Sequence, residues 1–242
     1  MTPAATHPLD IEADIDPRLS RWMWLVKWLL AIPHYIVLVF LWIAFFFVTV
    51  VAFFAILFTA RYPRALFDFN VGVLRWSWRV GYYAWYVLGT DRYPPFTLKD
   101  VPDYPLRVRL AYPERLSRGL VLVKWWLLAL PQYLVVAVLT GAGGGGGDWD
   151  TGYRIGLVPL LTLFAVIALL FTARYPRGLF DFLMGMVRWT MRVDVYASLL
   201  TDTYPPFRLD MGGREPGAKT PAATPAAPGP SAAGPSSGPP PG

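Results

Sequence analysis

Two long apolar stretches, Trp22 to Thr59 and Gly119 to Thr172, organise the chain. Each closes on the same words. Phe58-Thr-Ala-Arg-Tyr-Pro-Arg-Ala-Leu-Phe-Asp-Phe69 returns as Phe171-Thr-Ala-Arg-Tyr-Pro-Arg-Gly-Leu-Phe-Asp-Phe182. Both stretches exceed the roughly 20 residues that cross a bilayer core. In the second, the polar run Gly141 to Asp150 separates apolar segments at 118–140 and 153–172, which predicts a transmembrane helical hairpin. The first has no such insert, yet at ~1.5 Å per residue it is too long for one ordinary crossing. It predicts a hairpin over about 21–59 that turns near Trp42; the competing reading is an interfacial helix to Ile32 followed by one crossing. Pro33 and Pro131 predict a kink in the first helix of each pair.

A helical pattern resumes at 64–88 and again at 177–200. A third crossing there would carry Arg75 and Arg79, or Arg188 and Arg192, into lipid at about 2.5 to 3.5 kcal/mol each. These segments are therefore expected flat in the membrane interface, where Trp76, Trp78 and Trp85 suit the headgroup region. Before each long stretch, apolar and charged residues alternate: Leu9, Ile11, Ala13 and Ile15 with Asp10, Glu12, Asp14 and Asp16, then Leu106, Val108 and Leu110 with Arg107 and Arg109. This is strand patterning with an acidic wet face on one strand and a basic one on its twin. It predicts a small cytoplasmic sheet shared by the halves, with Phe96–Lys99 and Phe207–Asp210 as further short strands.

The chain thus reads as a mainly α membrane protein made of two tandem repeats, 1–103 and 104–210. Each repeat is a strand, a transmembrane hairpin, an interfacial amphipathic helix and a short strand. Residues 211–242 are rich in Pro, Ala, Gly and Ser and predict a disordered tail. Further matches support the duplication: Arg18-Leu-Ser-Arg21 with Arg115-Leu-Ser-Arg118, Lys27 with Lys124, and Thr90-Asp-Arg-Tyr-Pro-Pro-Phe96 with Thr201-Asp-Thr-Tyr-Pro-Pro-Phe207.

Composition agrees with lipid: of 242 residues, 55% are hydrophobic and only 16% charged. The acidic, proline-containing start argues against a cleaved signal peptide. Basic residues gather at the open ends of the expected hairpins (Arg18, Arg21, Lys27, Arg61, Arg64; Arg115, Arg118, Lys124, Arg174, Arg177), while the glycine-rich turn carries Asp148 and Asp150. By the positive-inside rule this predicts four crossings in a bacterial plasma membrane with both termini cytoplasmic. The chain has no Cys, which removes disulfides, thiolate metal sites and cysteine nucleophiles.

Candidate chemistry is sparse. On a helix starting at Pro63, Arg64, Asp68, Arg75 and Arg79 fall within roughly 60° of one another, and Arg177, Asp181, Arg188 and Arg192 repeat the stripe. One explanation is snorkelling Arg with a one-turn Asp partner. The sharper one is an anionic-lipid clamp, since guanidinium forks match phosphate oxygens. His34 is matched by Gln132, which carries no titrating proton, so helix packing is favoured over a relay or metal role. Gly141 to Gly146 follows a helix rather than a strand and lacks the Lys-Ser/Thr of a phosphate loop. No cofactor or metal and no nucleic-acid partner is expected.

The combination Arg-Leu-Ser-Arg, Leu25-Val-Lys-Trp-Leu-Leu-Ala-Ile-Pro-His-Tyr35, Phe-Thr-Ala-Arg-Tyr-Pro-Arg, Leu66-Phe-Asp-Phe69, Arg75-Trp76 and Asp91-Arg-Tyr-Pro-Pro-Phe96 resembles the bacterial membrane-protein family called domain of unknown function DUF4389. The likeness covers both halves and implies a multi-pass bacterial membrane protein, without a reaction or a catalytic residue to carry over. The favoured expectation is a non-enzymatic module that binds membrane lipids or other membrane proteins. A small transporter or channel is the first alternative, although the crossings carry little polarity beyond His34, Thr49, Gln132 and Thr162. An interfacial enzyme acting on a phosphate-bearing lipid is the second; its stripe lacks paired acidic metal ligands.

Overall fold

The computed structural model describes residues 7–17, 19–141, 156–172 and 174–214. The glycine-rich turn after Gly141 and the tail from 215 lie outside the described residues. In order, the elements are β1 (Leu9–Ala13), α1 (Trp24–Leu30), α2 (Ile32–Thr59), α3 (Arg64–Ala84), β2 (Leu106–Leu110), α4 (Arg118–Val123), a π-helical segment (Lys124–Leu128), α5 (Leu130–Thr140), α6 (Leu157–Thr172) and α7 (Arg177–Ala197). The fold is mostly helical with one two-stranded sheet.

The expected turn at Trp42 is absent. α2 runs unbroken for 28 residues, about 42 Å at ~1.5 Å per residue. Between Pro33, which sits harmlessly in the first turn, and Arg61 there is no Pro or Gly to break it. The Trp42 indole donates instead to Ser77 Oγ of α3 at 3.0 Å, so the position packs rather than turns. Helix α2 ends where Ala60 adopts a left-handed conformation (φ 57°) and its N–H caps the Ile56 carbonyl. α3 then starts at Arg64, as the pattern predicted, with Pro63 as its N-cap, and ends at Ala84, short of the expected 88.

The second half builds the same helix in two pieces. α5 and α6 pack on α7 as α2 packs on α3. The buried positions Phe45, Ala52 and Ile56 of α2 recur as Val158, Ala165 and Leu169 of α6, and His34 recurs as Gln132 of α5. Gly156 abuts the last turn of α5: a Cβ there would lie 2.2 Å from the Thr140 carbonyl carbon. Gly141 and Gly156 therefore lie on one helical track, and α6 resumes the path of α5 instead of returning antiparallel beside it. Upstream, Lys27-Trp-Leu-Leu-Ala31 becomes Lys124-Trp-Trp-Leu-Leu-Ala129, one residue longer. The π-helical segment absorbs that residue, a normal way for a helix to hold an insertion.

The expectation of α3 and α7 lying flat in the interface is also corrected. They form the inner layer: Trp76 and Trp78 are buried, as are Leu74, Val80, Met184, Val187 and Val195, while Trp85 at the end of α3 is exposed. The outer layer, α1, α2, α4, the π-helical segment, α5 and α6, carries most of the large apolar side chains left uncovered among the described residues, among them Phe40, Phe46, Phe47, Phe54, Leu134, Phe164 and Phe171. Only 17% of the most apolar stretch of α2 is buried by the rest of the chain, unlike the core helix of a soluble protein. Among the described residues α2 is long and apolar enough to cross a membrane, and α4 through α5, bent by 42°, makes a second such span if counted as one. α6 has 16 residues and is shorter. Four crossings are not found among the described residues.

A third layer covers α3 and α7 on the side away from α2. Here β1 and β2 pair antiparallel across the two halves, with Asp10 opposite Arg109 and Glu12 opposite Arg107, as the alternating charges predicted. Leu9, Ile11, Ala13, Leu106 and Val108 turn inward onto the core, and Arg107 bridges Glu12 at 3.1 Å and Asp14 at 2.9 Å on the wet face. The segments at Phe96–Lys99 and Phe207–Asp210 are not strands; they cross the inner helices as irregular straps. Arg107→Glu is expected to lower unfolding stability on the order of 1 kcal/mol by setting like charges opposite one another, and adding Glu12→Lys should recover part of it. Thermal melts of the detergent-solubilised protein at low salt check this; equal melting of all three proteins would show that the register does not depend on these charges.

Candidate functional site

The arginine stripe divides into an exposed and a buried part. Arg64 and Asp68 form an exposed ion pair at 3.4 Å, and the Arg64 guanidinium lies 4.5 Å from the centre of the Tyr112 ring. Arg177 is exposed and Asp181 half-buried. The other four arginines turn into the protein. Arg75 donates to the Val108 carbonyl at 3.0 Å, and Arg79 to those of Thr97 at 2.6 Å and Lys99 at 3.1 Å. Arg188 donates to the carbonyls of Asp210 and Gly212, and Arg192 pairs with the Asp210 carboxylate at 2.7 Å.

These contacts explain why the straps are not strands. Their carbonyls, which need a donor when buried, are met by guanidinium forks rather than by a neighbouring strand. Small residues let them approach: a Cβ on Gly72 would lie 2.8 Å from Leu98 Cβ, and one on Gly185 would lie 3.0 Å from Leu209 Cγ. Burial pulls the Arg75 pKa below the ordinary arginine value; burial and the neighbouring Arg75 lower that of Arg79 to about 10, which leaves it charged at neutral pH. Burial would raise Asp210, but its bonds to Arg192 and Arg208 prevail and hold it below the ordinary carboxylate value. The structure thus brings Arg75 together with Arg79, and Arg188 with Arg192, at the straps, and leaves Arg64, Asp68 and Arg177 at the rim.

Sequence reasoning missed a second duplicated arrangement. Lys27 and Lys124, expected among the water-facing basic clusters, are 1% and 0% exposed. Lys27 Nζ pairs with Asp91 at 2.8 Å and donates to the Thr90 carbonyl at 2.6 Å; Lys124 Nζ pairs with Asp202 at 2.7 Å and donates to the Thr201 carbonyl at 3.0 Å. The same carboxylates accept the backbone N–H of Ser20 and Ser117. Each clasp ties the entry of a repeat to the loop that follows its inner helix. The joint recurrence of Lys and of Thr-Asp was the available signal. Beside the clasps, the Trp76 indole donates to His34 Nδ1 at 3.0 Å and Trp189 donates to Gln132 Oε1 at 2.7 Å. Each side chain serves as a buried acceptor, so the His34 position packs helices as its Gln twin implied.

Two outward-facing clefts lie among the described residues. One, of about 300 Å³, is apolar and lies between α2 (Phe46, Phe53, Phe54) and Trp125 and Leu199. The other, of about 330 Å³, is walled by Asp16, Leu19, Leu169, Arg174, Tyr175 and Arg177, so it joins apolar and cationic groups at the start of α7. Among the described residues no cluster of three His, Asp or Glu side chains is placed to hold a metal ion.

A family profile described as "Domain of unknown function (DUF4389)" matches residues 21–97 and 155–208. The chain belongs to this family. The matched segments hold α1 to α3 and α6 to α7, each ending midway through the strap that follows. They leave out both strands, α4, the π-helical segment and α5 of this DUF4389 chain. No curated protein and no solved structure matches the chain.

The clasps are buried ion pairs that depend on both partners. Lys27→Met and Asp91→Asn are each expected to destabilise the fold by about 3 to 5 kcal/mol, because either leaves a buried charge alone. The double variant should lose less than the sum of the two. Chemical unfolding of the four proteins measures the coupling, and strict additivity would mean the pair is not coupled.

Proposed function

We propose that this DUF4389 protein is a non-enzymatic lipid-binding module that lies in one leaflet of the bacterial plasma membrane, with α2 and the α5–α6 track in the membrane plane. The observation that carries the reading is the order of its layers. Apolar side chains crowd the outer face of α2, α5 and α6, while Asp10, Glu12, Arg107 and the straps cover the opposite face of the inner helices. If α2 crossed the bilayer, the sheet would sit at the depth of the acyl chains, because it packs on the middle and far half of α3 through Leu74, Trp78 and Tyr82, alongside α2. Charged groups at that depth cost about 2.5 to 3.5 kcal/mol apiece. Laid flat, the same molecule puts its apolar layer into the acyl region and its sheet in water.

The basic residues support this orientation. Arg21 lies near the start of α2, whereas Arg61 and Arg64 follow its end, where the Leu116 N–H reaches the Ala60 carbonyl and brings Arg115 and Arg118 alongside. Arg174 and Arg177 join Leu19 at the other end. Both ends of a roughly 42 Å helix are therefore cationic, which suits a rim around an apolar face better than one inward-facing end. In this reading Arg64 and Arg177, with Arg61 and Arg174, meet anionic headgroups, while Arg75, Arg79, Arg188 and Arg192 hold the straps.

Two measurements test the proposal. Single cysteines at Ser20 and Glu114, near opposite ends of α2 in this Cys-free chain, should both label from the cytoplasmic side, and labelling from opposite sides would establish a crossing. Arg64→Glu with Arg177→Glu should weaken binding to vesicles containing anionic lipid, by about 1 kcal/mol for each positive charge removed. Arg75→Lys with Arg188→Lys should instead lower the melting temperature and leave vesicle binding near the parent value, since Lys lacks the fork that serves two carbonyls. A reversed pattern would return the lipid contact to the buried half of the stripe.

A further inference from the structure

The two ends of the molecule are built alike and finished differently. Counting back three residues from the shared Arg-Leu-Ser-Arg, Ile15 of the first half stands where Tyr112 stands in the second, and each follows its strand by two residues. Both lie against the Arg-Tyr-Pro-Arg turn of the opposite half. At one end Tyr112 fills the space: its hydroxyl donates to the Tyr62 carbonyl, its ring meets that of Phe67 edge-on at 5.0 Å, and the Arg64 guanidinium lies 4.5 Å from its centre. Arg64 is tied further to Asp68.

At the other end the smaller Ile15 borders the cleft of about 330 Å³ that also has Leu19, Leu169, Arg174 and Arg177 in its wall. Ligand pockets run from about 300 to 1,000 Å³, so this one suits a headgroup rather than a whole lipid. Arg177 has neither of its twin's attachments: no ion pair joins it to Asp181, and the guanidinium groups of Arg174 and Arg177 bond to no described residue. Asp16, the carboxylate in the wall, already has a partner of its own. The cleft also adjoins the apolar layer, since Leu169 belongs to α6 and Phe171, two residues on, is 78% exposed. An amphiphile could thus meet the arginines with its anion and α6 with its stem.

We propose that this cleft binds the phosphate of a single anionic phospholipid between Arg174 and Arg177, and that Tyr112 closes the equivalent place at the other end. The inference rests on the lipid-binding reading above and narrows it. Charge draws anionic lipid to both ends of the rim, whereas only the Ile15 end offers a walled space with two uncommitted guanidinium forks, the donor geometry that phosphate oxygens accept. Basic pockets at a membrane surface hold headgroups in this way.

The test is native mass spectrometry of the full-length protein in a neutral detergent, titrated with phosphatidylglycerol and, separately, with inorganic phosphate. The parent should retain one tightly held phosphatidylglycerol. Ile15→Tyr keeps every charge but fills the cleft as Tyr112 does at the other end, so it should weaken that retention on the order of tenfold. Arg174→Gln with Arg177→Gln should weaken it by about fivefold for each charge removed, and by more than Arg61→Gln with Arg64→Gln does. Should Ile15→Tyr fail to fold, the comparison of the two Gln pairs, all at exposed positions, decides. Inorganic phosphate that displaces the lipid at millimolar concentration would make a soluble phosphate the ligand and overturn the lipid assignment. Equal retention by Ile15→Tyr and the parent, or equal losses from the two Gln pairs, would discard the cleft and leave the leaflet reading standing. Cysteine labelling from opposite sides of the membrane, with retention still lost in Ile15→Tyr, would discard the leaflet orientation and keep the cleft.

Discussion

Buried guanidinium groups set the terms for the rest of this structure. Arg75, Arg79, Arg188 and Arg192 each must find oxygen acceptors on one side of an otherwise apolar helix. The nearest source is the chain's own backbone, so each repeat lays a strap of irregular carbonyls across its inner helix. This fixes which face of α3 and α7 is polar and which is left for α2 and the α5–α6 track. It also places the sheet, because Arg75 reaches β2 at the Val108 carbonyl. With the polar layer assigned to one side, the apolar layer has only the other.

The duplication behaves as two copies of one constraint set with tolerance at defined points. The Lys–Asp clasp, the indole-to-acceptor bond at His34 or Gln132, the glycine under each strap and the left-handed residues Leu88 and Leu199 recur together. Where the second copy carries extra residues, the helix yields locally: one added residue becomes a π-helical segment, and on either side of the longer insert Gly141 and Gly156 keep to one track. Neither changes which residues of the track face α7. Side-chain burial conserves register more strongly than chain continuity does, because moving the apolar face would expose the core.

The halves are joined chiefly by reciprocal contacts. β1 from the first pairs with β2 from the second, the Tyr175 hydroxyl donates to the Val87 carbonyl, and the Trp78 indole reaches Asp194. Neither repeat has a complete core without the other. One apolar face and one charged face therefore belong to the assembled pair.

Much of this architecture was legible in the chain. The duplication, the helical stretches, the Pro-started α3 and α7, and the pairing of an acidic with a basic strand followed from spacing and alternation, which local backbone geometry enforces. The charged stripe was also visible, but helical phase says only that side chains share a face; it does not say whether that face meets water, lipid or another part of the chain. The straps decided that, through contacts 18 to 33 residues distant along the chain. In the same way an apolar run carries no mark of whether it turns, and the glycine-rich insert looks like the turn of a hairpin although α6 continues the path of α5. Sequence by itself determined the elements and their repetition because those depend on neighbours a few residues apart. The burial of Lys27 and Lys124, the inward turn of the arginines and the layering of polar against apolar faces were decided only in the tertiary structure, where distant carbonyls and carboxylates become the nearest partners of a buried charge.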